Sequence, residues 1–264
     1  MNVPQQRRYA LAFLRWYKRH ERRSYRLVRA WLSQIQERVL AMLDKLGIQA
    51  TIDSLTDLVQ FESIQTVLTR IYQHTIAEAA RRELDRLQTM VPHLTPTTTV
   101  AAQAGFYSQR WNTTVSRMLS DSQTAQRVTQ ITQTTRDQIR RVLVQSNADN
   151  VPVRTAANRL QTVLGGKGAQ RRALLIARTE TTRAASTGHE AGAQSTSLKL
   201  NKIWIATTDA RTRDSHRRMI GSKPVPKDGY FLINGLHMKY PGDPAGGASQ
   251  CVNCRCTVAY VPAT

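Results

Sequence analysis

"VRAWLSQIQERVLAMLDKL", residues 28–46, decides how the chain is read. Val28, Leu32, Ile35, Val39, Met42 and Leu46 recur at steps of four and three. That spacing predicts an amphipathic helix with one narrow apolar seam. The same period continues on both sides, so the first two hundred residues are expected to be helical. Upstream, residues 7–29 interleave Arg7, Arg8, Arg15, Lys18, Arg19, Arg22, Arg23, Arg26 and Arg29 with Phe13, Trp16, Tyr17 and Tyr25. Such a helix turns its aromatics inward and its cations outward, toward phosphates or the acidic wall of a partner.

Downstream, a second helix is expected over 53–90, with Ile64, Leu68 and Ile71 on one stripe. "VPHLTPTTTV" (91–100) ends it, because two prolines and a threonine cluster cannot continue a helix. Residues 101–149 read as helix again, rich in Gln and Thr. Their weak face runs through Ile131, Thr135, Gln138 or Ile139, and Val142, and needs neighbours to hold it. A loop at 147–153, a short helix over 154–164 stopped by Gly165 and Gly166, and a further helix from about Gln170 complete this part.

Composition changes near Leu200. "KIWIAT" (202–207) and "CTVAYV" (256–261) read as strands. Between them, 210–220 reads as a helix with Asp209 as N-cap and Gly221 as stop. Residues 221–250 are dense in Gly and Pro, and read as turns and ordered loop. The expected fold is mainly α, a helical N-terminal body with a small α+β, loop-rich C-terminal unit. By composition the chain divides into a basic helical region (1–100), a helical region (101–200) and the α+β unit (201–264).

The whole chain carries 38 Lys+Arg against 18 Asp+Glu, a net charge of +20. That surface concentrates polyanions, whether double-stranded DNA, RNA, an acidic protein face or an anionic membrane, without choosing a base sequence. No run is apolar enough to cross a bilayer, so stable membrane insertion is not expected. The patch "YALAFLRWY" (9–17) is broken by Arg15 and lacks a cleavage site, so it is not read as a signal peptide. The three cysteines, Cys251, Cys254 and Cys256, crowd into "CVNCRC" (251–256). An odd number so placed argues against an oxidised, secreted scaffold, and for a protein held in a cytoplasm at least until assembly. Several uses remain open for them. They can pack as small apolar side chains at the start of a last strand. With His216 they offer three thiolates and an imidazole, a donor set Zn²⁺ accepts, with His237 as a spare ligand. A Cys nucleophile with His216 and Asp209 is the enzymatic alternative.

Three motifs stand in order: "IARTETTRAASTG" (176–188), "IWIATTDARTRDSHRRMIG" (203–221) and "YPGDPAGGASQCVNCRC" (240–256). Together they resemble the phage Mu F-like minor head proteins, the head-morphogenesis family, over roughly the last 130 residues. On that resemblance the family signature falls on Ala177, Arg178, Thr179 and Glu180, then on Trp204, Asp209 and Arg211. It continues through His216 and Gly221 and through Pro241, Gly242 and Asp243, and closes on Asn253, Cys254, Arg255 and Cys256. Some relatives carry further Cys or His, suggesting zinc; Arg213 stands where one of those cysteines would be. The resemblance implies a non-enzymatic structural protein of the virion, made in the host cytoplasm. It would sit inside the capsid at the portal vertex and touch portal protein, major capsid protein or scaffold, and packaged DNA. It would act in head assembly or DNA ejection. A non-specific DNA-binding protein, or a Cys-dependent or ADP-ribosylating enzyme, is the alternative. Asp209, Arg211, Glu180 and Arg255 also have a plain structural use, as a charge network that holds the loop-rich unit together.

Overall fold

A computed structural model describes residues 1–91 and 100–263, with side chains of 100–108 left undescribed. The expected break at 91–100 falls almost wholly outside the described residues. The chain is mainly helical: α1 (Val3–Asp53), α2 (Leu55–Leu58), α3 (Phe61–Met90), α4 (Val100–Ser120), α5 (Ser122–Ala148), α6 (Val153–Gly165) and α7 (Lys167–Gln194). The α+β part follows as β1 (Leu200–Ile205), α8 (Asp214–Arg217), β2 (Val225–Pro226), β3 (Phe231–Ile233), β4 (Leu236–Met238), α9 (Gly247–Cys251) and β5 (Thr257–Pro262). No helix among the described residues is long and apolar enough to cross a membrane.

Two compact units emerge, neither continuous in sequence. The first gathers residues 1–23, 70–118 and 178–264; the second gathers 24–69 and 119–177. In the second unit, Val28, Leu32, Ile35 and Val39 are buried as expected, but the stripe continues through Leu43 while Leu46 is 53% exposed. A straight helix of 3.6 residues per turn drifts off a strict 3.5-residue seam, which carries the buried stripe one position on. Gly47 then takes φ 78° and ψ −176°, a non-helical geometry that kinks α1. The helix expected over 53–90 is interrupted by α2, and that expected over 101–149 breaks at Asp121, whose carboxylate caps α5 by accepting from the Gln123 amide at 3.3 Å. The buried face of α5 runs Thr124, Val128, Thr132, Thr135, Ile139, Leu143 and Ser146. Its stripe thus uses Leu143 in place of Val142.

In the first unit, α7 crosses α3 at very close range. A Cβ on Gly188 would stand 2.6 Å from the Ile76 carbonyl oxygen, and one on Gly192 would stand 2.4 Å from that of Ala80. Only hydrogen at those positions allows the backbones to approach so closely. A three-stranded antiparallel sheet in the order β2-β1-β5 packs here, with Leu200 opposite Pro262 and Ile205 opposite Thr257. Leu87 and Ala193 contribute to the core under it, together with Trp204, Phe231, Met238, Val258 and Tyr260.

A buried acid holds the last strand. Glu83, fully buried on α3, accepts hydrogen bonds from the Tyr260 amide at 3.0 Å, from Arg86 at 2.5 Å and from the Tyr9 hydroxyl at 3.3 Å. Arg86 also donates to the Tyr260 carbonyl. Beside it the His189 ring lies 3.0 Å from the Val258 carbonyl, and burial holds its pKa below the ordinary value despite the nearby Glu83 carboxylate. These residues tie α1, α3 and α7 to β5.

Candidate functional site at the closing cysteines

The sequence folds 251–256 back by placing Asn253 in the left-handed region, φ 61°, where Asn is tolerated. That turn sets Cys254 and Cys256, each 3% exposed, on one side of the segment that leads into β5. His216 comes from the single turn of α8 and is also buried. Its Nδ1 lies 3.6 Å from Cys254 Sγ and 3.5 Å from Cys256 Sγ. The three ligand-type atoms all lie within 4.8 Å of one another. The Trp204 ring closes the far side of His216 edge-on at 5.0 Å.

The two thiols titrate as a pair. Cys254 donates toward Cys256, which with burial raises its own pKa well above the thiol range. The same hydrogen bond, helped by His216 and opposed by burial, holds Cys256 well below that range.

Cys251 is not part of this cluster: its Sγ lies 2.9 Å from the Asp243 carbonyl oxygen. His237 is exposed on β4 against the Tyr230 ring. The donor set is thus two sulfurs and one nitrogen, which suits a soft or borderline ion at three protein ligands. The other ring nitrogen of His216, Nε2, is buried and makes no hydrogen bond among the described residues, so nothing there fixes the orientation of the ring. The cavity beside the cluster is about 10 Å³, room for one water or one ion.

Asp209 does not cap a helix over 210–220, but it does pair with Arg255, in keeping with the expected charge network. The helix predicted over 210–220 is only α8, because Asp209 and Thr212 satisfy the backbone locally: Asp209 Oδ1 accepts from the Arg211 amide at 3.0 Å, and Thr212 donates to the Thr207 carbonyl. Its other oxygen is bound by Arg255. Burial raises the Asp209 carboxyl, but the Arg211 amide and the Arg255 guanidinium outweigh it and hold the group below the usual carboxylate range. Asp209 therefore neither pairs with Arg213 nor orients His216. Arg213 donates instead to the Val252 carbonyl at 2.6 Å. The turn ends at Gly221, φ 75°.

The signature on α7 reads as a clamp on the cysteine segment. Arg178 bridges Glu21 at 2.5 Å and Asn253 Oδ1 at 2.7 Å. Thr179 accepts the Asn253 amide at 3.0 Å, and Thr182 donates to the Cys254 carbonyl at 2.5 Å. Glu180 accepts the Tyr72 hydroxyl at 2.5 Å, and Tyr17 donates to the Arg178 carbonyl at 3.0 Å. Asp243 caps the turn at 244–246, accepting from the Ala245 amide at 3.0 Å and the Lys239 amide at 2.5 Å. Sequence reasoning named the clamp residues but missed their partners Glu21, Tyr17 and Tyr72, as well as Glu83. These partners lie 70 or more positions away along the chain, beyond any local signal.

Of the nine basic positions near the N-terminus, Arg7, Arg8, Arg15, Lys18, Arg19, Arg22, Arg23 and Arg26 are exposed and Arg29 is half-buried. At 3.6 residues per turn, the seven from Arg7 to Arg23 fall within roughly 160° of the α1 circumference. Phe13, Trp16 and Tyr17 are buried on the other side, and Tyr25 is half-buried. Arg19 is partnered by Glu78 at 3.0 Å.

Fold and site together define a helical protein that clamps a small, thiol-bearing α+β unit against its helices. The family model described as Phage Mu protein F like protein matches residues 47–259, and the chain belongs to that family. The match reaches well upstream of the last 130 residues, taking in helices that carry no short motif. The chain is similar to Minor head protein GP7 of Bacillus phage SPP1, 37% identical over 92 residues, which are 34% of this chain and 30% of that protein. It is also similar to NAD(+)--arginine ADP-ribosyltransferase EFV of Enterococcus faecalis, 40% identical over 94 residues, which are 34% of this chain and 19% of that protein. The chain thus spans less than a third of either relative. No solved structure matches it.

Proposed function

We propose that this chain is a minor head protein of a tailed phage or prophage, a structural component of the virion. It would associate with the portal vertex inside the capsid and act in head assembly or DNA ejection. Family membership and the likeness to a phage minor head protein support the head role. The observation that carries the finer reading is the exposed cationic side of α1, which suits packaged DNA or acidic portal surfaces. In this reading the Cys254–Cys256–His216 cluster is a structural knot that holds the terminal segment in place. If zinc is present, His216, Cys254 and Cys256 would hold it, and its contribution would be folding stability.

The test is co-sedimentation of the purified protein with its cognate portal, with and without DNA, at two salt concentrations. Salt-resistant binding to portal is expected. Binding to DNA alone, lost on raising salt, would favour a non-specific DNA-binding protein. Replacing Arg19, Arg22, Arg23 and Arg26 by Gln should reduce the dependence of log affinity on log salt by up to about 3–4. Unchanged binding at low salt would remove α1 from the interface.

The activity named for the Enterococcus relative is not supported here. The matched residues are only 19% of that protein. Transfer of label from NAD⁺ to arginine, abolished by Glu180→Ala, would reverse that conclusion.

A further inference from the structure

A second group of ligand-type side chains lies in the first unit, apart from the cysteines. His20 comes from α1, and His74 and Glu78 stand at i,i+4 on α3. Their donor atoms lie within 4.8 Å of one another. His20 Nε2 is 2.7 Å from Glu78 Oε2, and His74 Nε2 is 3.5 Å from the same oxygen. The other oxygen, Oε1, is taken by Arg19 at 3.0 Å, so one carboxylate oxygen is left to face both imidazoles.

His20 is 1% exposed, yet its Nδ1 has no hydrogen-bond partner among the described residues, and its Nε2, although 2.7 Å from Glu78 Oε2, is not aligned for a hydrogen bond. A buried imidazole normally finds a partner, because an unsatisfied nitrogen costs about 1–3 kcal/mol. The ring is wedged between Trp16, at 4.2 Å between centroids, and His74, at 4.9 Å. It therefore cannot turn away from Glu78.

From this geometry we propose that His20, His74 and Glu78 form a binding site for a borderline divalent transition-metal ion such as Zn²⁺. Two imidazoles and one carboxylate are a donor set that favours Zn²⁺, Co²⁺ or Ni²⁺ over Mg²⁺ or Ca²⁺. His74 and Glu78 also line a cavity of about 340 Å³ with Arg81, Trp111 and Asn112. A metal held at the three donors keeps a coordination position on that side, where an anionic or carbonyl group can reach it. The site goes beyond the head role and does not depend on it.

The test is titration of the full chain with Co²⁺, read by visible absorption, followed by competition with Zn²⁺. The protein carrying Cys254→Ser and Cys256→Ser is expected to retain one equivalent of Co²⁺ with no sulfur-to-cobalt charge-transfer band. His74→Gln and Glu78→Gln, both at partly exposed positions, should each weaken that binding at least tenfold while the far-ultraviolet circular dichroism stays unchanged. Absence of binding in the cysteine variant would overturn the proposal. So would affinity unchanged in both His74→Gln and Glu78→Gln. Co²⁺ displaced equally well by Mg²⁺ would overturn the donor-set argument.

Discussion

Replacing Glu83 by Gln tests whether one buried charge holds the last strand to the helices. Gln keeps the volume, its oxygen still accepts the Tyr260 amide, and its NH2 can donate to the Tyr9 hydroxyl, which in the wild type bonds the other carboxylate oxygen. What is removed is the negative charge facing Arg86, whose side chain is 20% exposed against 1% for Glu83. Burial lowers the Arg86 pKa, but Glu83 more than offsets this and leaves it raised, so the guanidinium depends on that carboxylate. Breaking a fully buried pair costs about 3–5 kcal/mol. Arg86 is partly wet and keeps the Tyr260 carbonyl, so the expected loss is about 2–3 kcal/mol. At about 2–4 °C per kcal/mol this lowers the melting temperature by about 4–12 °C. The assay is urea unfolding of wild type, Glu83→Gln, Arg86→Met and the double variant, with the coupling taken from the cycle. A coupling above about 1 kcal/mol is expected. If Glu83→Gln costs less than about 0.5 kcal/mol, or the coupling vanishes, the charge pair does not hold β5.

Gly192→Ala should destabilise by about 1–3 kcal/mol, because the new methyl meets the Ala80 carbonyl oxygen at 2.4 Å, and thermal unfolding reads this directly. Arg178→Ala should free Asn253 and speed modification of the buried Cys254 and Cys256 by a thiol reagent, with Cys251 little changed; equal rates in both proteins would remove the clamp. For His189 the folded pKa lies below the ordinary 6.5, so the unfolded chain takes up the proton first as pH falls. Stability should therefore drop on acidification below about pH 6.5, by at most about 1.4 kcal/mol per pH unit from this residue. Glu83 faces the ring and opposes the shift, while Arg82 and Arg86 favour it. His189→Gln should flatten that acid limb of the stability curve, and an unaltered slope would count against the assignment.

Much of the helical architecture was legible because apolar residues recur with the helix period over long stretches. The places where the reading slipped have local causes. Asp121 and Gly47 interrupt helices whose flanking patterns look continuous, and the hydroxyl and carboxylate side chains around Asp209 and Thr212 replace helix with turn. At the site, motif resemblance marked Arg178, His216, Cys254 and Cys256, and the structure brings His216 to both buried sulfurs. It does not bring Cys251, because tight spacing in sequence does not decide which way a side chain points once Asn253 reverses the backbone. Glu83, and the meeting of His20 with His74 and Glu78, left no local signature. Each depends on helices crossing, and a lone His or Glu on a helix looks like any other polar position.

The first unit takes residues from 1–23, 70–118 and 178–264, whereas every residue of the second unit precedes position 178. During synthesis the second can complete its contacts while the C-terminal third is still being made. The first must wait until β5 has emerged, since the amide and carbonyl of Tyr260 and the carbonyl of Val258 are the partners of Glu83, Arg86 and His189. Until then a buried acid and its neighbours stand open to water, and loops of more than a hundred residues remain to be closed. Maturation of the unit that bears the cationic helix is thereby timed by the last strand, and a chain cut short before Thr257 would present that helix without its finished scaffold.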